Sequence, residues 1–306
     1  MSGPAASKAG RPALALARRL VRAPFVLRAV VRDRLVERQC EHDLAICAIF
    51  REEAPFLSEW IDFHRGVGVS HFFLYNNFST DGYEAVLAPY VTAGCVTVKN
   101  WPVPVGQLSA YADCIRTSWR RARWIALIDI DEFLFSPTTI DIRPILRRYV
   151  DNPGLAVWQA FYGSSGHQRQ PEGSILEAYT QRGPLSVTTV KSIINPRRVY
   201  KPGIHVSKYW SGDALDTQHR TIVQGLSPVL DLLRINHYWS RSIEDLETKI
   251  SRGDASTSAA RDRDWHLAYE ARLNAESDAS ILPIARAIRA GRGVSGSNAP
   301  VTAAPA

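Results

Sequence analysis

Two aspartates one residue apart, Asp129 and Asp131, stand inside the apolar segment LIDIDEF at 127–133. Where an extended strand gives way to a loop, side chains two apart point to one side, and paired hard carboxylate oxygens suit Mn²⁺ or Mg²⁺. Ionised carboxylates set among Ile128, Ile130 and Phe133 need a cation or a partner. A divalent ion held there can bridge a diphosphate and take up the charge that develops as it leaves. A bare pair of this kind can also be an ordinary solvated loop, and the apolar neighbours are what favour the metal reading.

These carboxylates need elements to aim them, and the preceding residues supply a regular alternation. DLAICAIF (43–50) suits a strand buried on both faces, and Phe56, Leu57, Trp60, Ile61 and His64 follow at helical spacing until the glycines at 66 and 68. SHFFLYNN is a second strand, STDG (79–82) a turn, YEAVLAPYVTAG a helix and CVTVKNW (95–101) a third strand. QLSAYADCIRTSW (107–119) reads as a helix and RWIALIDIDEFLF (123–135) as one long fourth strand. That order expects an α/β fold of parallel βαβ units. Ligands of such sheets lie outside the carboxyl ends of the strands. The residues there are Arg51, Glu52 and Glu53, then Asn76, Asn77, Ser79 and Asp81, then Asn100 and Trp101, and last Asp129, Asp131 and Glu132. No GxGxxG or GxxxxGK[ST] occurs at them, which disfavours a dinucleotide site and a P-loop. Polar, acidic strand ends without a glycine cradle favour a sugar nucleotide neutralised by a metal.

The segments from AICAIFREEAPFLSEWIDFHRGVG to FSTDGY, then LAPYVTAGCVTVKNWP, QLSAYADCIRTS and WIALIDIDEFL, resemble bacterial members of glycosyltransferase family 92 and the related family-2-like group. The resemblance runs from about Leu44 to NHYWSRS at 236–242. It implies a GT-A fold, a Rossmann-like, mostly parallel sheet with flanking helices and an acceptor-side extension. It also implies a nucleoside-diphosphate-sugar donor, a metal held by the paired aspartates and, from eukaryotic relatives, inverting transfer of galactose from UDP-galactose. Carried onto this chain, Arg51 and Glu53 match a Lys/Arg-Asn-Glu donor motif in which Glu52 replaces the Asn. Asn77 and Asp81 match an element near the nucleoside, and Gln107, Tyr111 and Asp113 a helix beside the ribose and sugar. His237 matches a late histidine that completes the metal or diphosphate contacts. Plainer roles stay open: Glu53 as a helix cap, Asn77 to Gly82 as a turn, His237 as a core histidine.

On the acceptor side, LAVWQAFYGSSGHQRQPEG (155–173) reads as a strand entering a Gly/Ser-rich loop. Lys191, Arg197 and His205 are cationic or switchable groups able to meet the diphosphate, with Arg197 equally readable as surface charge, and Trp158, Phe161, Tyr162, Tyr209 and Trp210 are expected to stack on a sugar or fill the core. Inverting transfer needs a general base. Among His167, Glu172, Asp213 and Asp216, spacing cannot choose, and Glu172 and His167 are taken as the catalytic candidates. The expected partners are a UDP-sugar donor and a glycan or lipid-linked acceptor. A non-catalytic sugar- or nucleotide-binding protein and a metal-dependent nucleotidyltransferase are the rival readings.

The 306 residues are 45% apolar, enough to bury a sizeable core. Residues 1–40 hold nine Lys/Arg against Asp33 and Glu37, which accounts for the whole net charge of +7. The remainder is neutral, which argues against a nucleic-acid-binding body. Arg residues interrupt every N-terminal apolar run, so neither a signal peptide nor the ~18 apolar residues of a membrane span is expected. Residues 11–38 are a basic amphipathic stretch that reads equally as a solvated or packed extension or as a segment able to rest on an anionic membrane surface; the expected location is the cytoplasm, with peripheral contact at the inner membrane face as the second of these readings. Cys40, Cys47, Cys95 and Cys114 lack metal-type spacing and read as reduced thiols. The expected organisation is an N-terminal extension (1–40), a GT-A domain (41–252), a C-terminal helical segment (253–290) and a disordered tail (291–306).

Overall fold

The computed structural model describes residues 39–186, 188–253, 257 and 262–294. The basic stretch at 11–38 and residues 295–306 lie outside the described residues. The strands and helices run in the order β1 (His42–Phe50), α1 (Ala54–Gly66), β2 (His71–Asn76), α2 (Tyr83–Thr92), β3 (Val96–Asn100), α3 (Gln107–Ser118), β4 (Ala122–Leu127), β5 (Glu132–Phe135) and α4 (Arg143–Leu146). There follow β6 (Gly154–Tyr162), α5 (Ile175–Ala178), β7 (Gln181–Arg182), β8 (Val190–Ile194), β9 (Val199–Lys201), β10 (Lys208–Tyr209), β11 (Arg234–Tyr238), α6 (Ile243–Arg252), α7 (Arg263–Arg272), β12 (Glu276–Ser277) and α8 (Leu282–Ala287). No helix of the described residues is long and apolar enough to cross a membrane.

The α/β expectation holds. Strand β1 is apolar from Leu44 to Phe50 because that stretch is covered on both faces, as a central parallel strand must be. Leu44, Ile46 and Ala48 enter one core with Leu57, Trp60 and Ile61 of α1, whereas Ala45, Cys47 and Ile49 enter a second core with Ala110, Tyr111 and Cys114 of α3. Strands β3, β2, β1 and β4 are parallel, in that spatial order. Beyond β4 the sheet changes character, with β8 antiparallel to β4 and β6 antiparallel to β8.

The fourth strand is not continuous. Strand β4 ends at Leu127, paired with Cys47, and the chain turns through Ile128–Asp131 before β5 starts a new pairing with β11. The turn satisfies its own backbone, since Glu132 Oε2 accepts from the Asp129 N–H at 3.0 Å and the Asp129 carbonyl from the Glu132 N–H at 3.1 Å. Ile128 and Ile130 stay buried, so an apolar pattern carries no trace of the break. Because of it, β11 lies antiparallel to β5 and parallel to β6, setting His237 opposite both Glu132 and Phe161.

The C-terminal segment belongs to the same body. Strand β12 extends the sheet through β7, and Val294 donates its N–H to the Gly66 carbonyl at 3.1 Å, so the expected tail beginning at 291 starts inside described structure. Cys47, Cys95 and Cys114 are free thiols.

His64 is a core histidine. Its Nδ1 donates to the Trp60 carbonyl at 2.8 Å and its Nε2 accepts from the Leu134 N–H at 3.0 Å, a bond only the neutral ring can make. Burial lowers its pKa from 6.5 to about 3. A depressed histidine pKa gives stability that is present above the unfolded pKa and lost as pH falls towards the folded one. Between pH 7 and pH 5 this site should cost about 2 kcal/mol of folding free energy. Urea denaturation at the two pH values should show that loss in the native chain and a smaller one in His64→Gln.

Candidate functional site

A cavity of about 430 Å³ opens where the carboxyl ends of β1, β2 and β4 meet β6, β8 and β11. Its floor is the β4–β5 turn. Asp131, Glu132 and His237 each offer a ligand atom there, and these atoms lie within 4.8 Å of one another. Two carboxylates and an imidazole are a donor set that fits Mn²⁺ or Mg²⁺. Asp129 is not part of that group. Its carboxylate accepts from Lys191 Nζ at 2.5 Å, Gln107 Nε2 at 2.8 Å and Tyr111 Oη at 3.4 Å. The two aspartates thus divide, Asp129 towards α3 and β8, Asp131 towards β11 and α6.

Every carboxylate at this floor carries a cation from a distant part of the chain. Lys191, buried in β8, also lies 3.3 Å from Glu132 Oε1. Lys249 of α6 donates to Asp131 Oδ2 at 2.5 Å and to the Trp239 carbonyl at 2.8 Å. Glu53, at the start of α1, pairs with Arg241 at 2.8 Å and Arg252 at 2.5 Å. It makes no side-chain cap bond. Burial opposes ionisation of Asp131, but Lys249 and His237 outweigh it and hold the carboxyl well below its ordinary range. Glu132 moves the other way, pushed up by burial that Lys191 only partly offsets. Burial likewise lowers the Lys249 pKa, against the pull of Asp131.

The other sequence-assigned residues separate into those that reach the cavity and those that serve the frame. Arg51, Glu53, Asn77, Gln107, Lys191 and His237 line it. Tyr111 stands behind Gln107, one turn along α3, while Asp113 is rotated off that face and is held by Lys99 at 2.6 Å, Arg116 at 2.6 Å and Tyr75 at 3.0 Å. Asp81 is a remote helix cap, accepting the Ala54 N–H at 2.7 Å. Glu52 sits at φ 54°, in the left-handed region where Asn is favoured over most residues, which is a physical reason for the Asn of the resembling motif. Glu172 is exposed in the loop after β6, and His167 turns its Nε2 to the Ala178 carbonyl at 3.3 Å and packs against Tyr179. Neither lines the cavity, because the loop folds away over α5. Asp216 is equally committed, to Arg220 and Trp158.

Arg197 does not face a diphosphate. It is buried behind the sheet and donates to the carbonyls of Ala122, Arg123 and Trp119 at 2.9, 3.2 and 3.3 Å. Of the five proposed stacking aromatics, Phe161 reaches the cavity, while Trp158, Tyr162 and Tyr209 are core. Sequence reasoning passed over Glu132 as a ligand, and over Gln159, Lys249 and Arg252. Gln159 donates to Glu132 at 2.6 Å and sits 3.2 Å from His237 Nδ1, which ties the group together. The i, i+3 spacing of Lys249 and Arg252 places both on one face of α6, but nothing in the sequence says where α6 docks.

The profile of glycosyltransferase family 92 matches residues 42–261, about 70% of the chain. The chain belongs to that family. A family 92 protein of Oryza sativa subsp. japonica is 30% identical over 74% of this chain and 38% of its own length. A galactan beta-1,4-galactosyltransferase of Arabidopsis thaliana is 26% identical over 54% of this chain and 34% of its own. The chain thus spans about a third of the length of the curated relatives it matches. Among solved structures, S. aureus TarS 1-349 in complex with UDP covers 50% of this chain at 9% identity, with a TM-score of 0.33, too low to argue from.

Removing the Lys249 ammonium leaves Asp131 buried with less compensation, which should cost about 3–5 kcal/mol. Thermal melts of Lys249→Met should show that destabilisation, and added Mn²⁺ should raise the melting temperature of the variant more than that of the native chain.

Proposed function

We propose that this family 92 chain is a glycosyltransferase that moves a sugar, galactose as the first candidate, from a UDP-sugar to the hydroxyl of a glycan or lipid-linked acceptor. The transfer is a single inverting displacement dependent on Mn²⁺ or Mg²⁺. One observation carries the reading: Asp131, Glu132 and His237 are gathered on the floor of a cavity at the carboxyl ends of the parallel strands. An ion held by these three would supply Lewis-acid neutralisation of the leaving diphosphate.

The chain's own residues do the rest. Asn77, whose amide is fixed by the carbonyls of Trp101 and Val103 at 2.8 and 3.0 Å, and Gln107 mark the nucleoside end. Arg51 and Arg252, at the mouth, offer charge to the diphosphate, and their guanidinium groups suit its oxygens. Lys191 and Gln107 hold the Asp129 carboxylate in place. The acceptor enters beside Phe161, Trp239 and His205.

The general base falls to His205. Glu53, Asp129, Asp131 and Glu132 are all held in ion pairs, whereas the His205 Nδ1 lies 3.2 Å from the Val190 carbonyl, a contact that leaves Nε2 with the lone pair. Base, acceptor oxygen and anomeric carbon then need only approach in line, with no enzyme nucleophile. The basic segment at 11–38 gives the reading a place, the anionic inner face of a membrane.

The test is UDP release from a panel of UDP-sugars with Mn²⁺ and acceptors. Asp131→Asn should lower turnover by about a hundredfold or more. His205→Asn should lose turnover while UDP with Mn²⁺ still raises its melting temperature. Stabilisation by nucleoside triphosphates and not by UDP would point instead to nucleotidyl transfer.

A further inference from the structure

The aromatic lining at the acceptor end of the cavity does not stop at its wall. Phe161 lies against the His237 ring with centroids 4.8 Å apart, and Trp239 lines the same end. From Trp239 the rings continue outward, edge-on to Tyr269 at 4.9 Å and stacked on His266 at 5.4 Å. Tyr269 in turn is stacked on Trp265 at 5.1 Å, with planes 6° apart. Trp265 ends the series and keeps 55% of its surface in solvent. Three of these rings belong to α7, beyond the residues 42–261 that the family profile matches.

We propose that this series of rings is a saccharide platform, on which the sugar units of a glycan acceptor lie while its terminal hydroxyl enters the cavity. The inference rests on the donor reading above and adds the acceptor class. A pyranose presents weakly positive C–H groups on one face, and the face of an aromatic ring carries negative charge, so the two stack while the hydroxyls stay at the rim in water. Rings that served only as core would be covered on both faces; Tyr269 covers one face of Trp265, and more than half of that side chain remains open. A membrane-seeking helix would set a broad apolar face beside basic residues. Helix α7 instead carries two basic residues, Arg263 and Arg272, against two acidic ones, Asp264 and Glu270.

The platform is held in place before any ligand arrives, which lowers the ordering cost of binding. Glu270 is buried and accepts from the Ser164 N–H at 2.9 Å and from Asn274 at 2.7 Å. Asn274 Oδ1 accepts from the Ser165 N–H at 2.8 Å, and Asp262 caps the helix through the Trp265 N–H at 3.1 Å. Both serine contacts tie α7 to the loop that leaves β6, the strand that carries Phe161. The rings and the cavity are therefore parts of one rigid wall.

The experiment uses the full chain, Trp265→Ala and Trp265→Tyr, with short and long oligosaccharides of galactose, glucose and mannose read by saturation-transfer NMR. Anionic vesicles form a separate arm, and UDP with Mn²⁺ is read by thermal shift. At least one saccharide series should bind more tightly as it lengthens. Trp265→Ala should weaken that binding about tenfold, and Trp265→Tyr should restore most of it. The UDP-dependent shift should be the same in all three proteins. Equal saccharide binding by Trp265→Ala, binding of no saccharide, or Trp265-dependent binding of vesicles alone would each overturn the platform. Saccharide binding that needs Trp265 in a chain that UDP does not stabilise would support the platform and count against the donor reading.

Discussion

Four acidic side chains, Glu53, Asp129, Asp131 and Glu132, share the wall of one cavity, and Lys191, Lys249, Arg241 and Arg252 stand among them as their partners. At such separations like charges repel and opposite charges attract more strongly than they would in bulk water. Mutual neutralisation is therefore a condition of folding as much as of chemistry. Each pairing also spans a long stretch of sequence, 62 residues for Lys191 with Asp129 and 118 for Lys249 with Asp131. The ion pairs thus weld the second half of the chain onto the carboxyl ends of the first-half strands.

The same arrangement makes the site responsive. A carboxylate bound to an internal ammonium is already paired, and any ion that bound beside it would have to redistribute that charge. Lys249 would be central to such a redistribution, since it bonds to the Asp131 oxygen that also lies 3.4 Å from His237 Nε2. Backbone geometry reinforces the point: the break between β4 and β5 turns Asp131 and Glu132 to a common center with β11, and an unbroken strand would have sent them to opposite faces.

Much of the parallel half was legible. Strand β1 is readable because both faces are buried, α1 and α3 because their apolar residues repeat at helical spacing, and the acidic strand end because carboxylates among isoleucines are out of place unless something binds them. The resemblance carried Asn77, Gln107 and His237 to the cavity wall. It also carried Asp81 and Asp113, which the structure uses as a helix cap and as an ion-paired brace, since a motif records residue type and order but not which way a helix is turned. Arg197 reads in sequence as either a diphosphate contact or surface charge and proves to be a buried clamp on three backbone carbonyls, since a guanidinium is equally well satisfied by carbonyl oxygens.

By itself, then, the sequence determined the alternation of strand and helix, the burial of β1 on both faces and the gathering of acids at the end of the fourth strand, all of which are local properties of spacing and polarity. Tertiary structure decided which acid faces which base, that Glu132 joins Asp131 and His237, that His167 and Glu172 point elsewhere, and that the rings of α7 continue the cavity wall. The physical reason is range. Periodicity is written over a few residues, whereas the pairing of β11 with β5 and β6 and the docking of α6 and α7 bring together groups 76 residues or more apart, whose charges and faces carry no mark of one another along the chain.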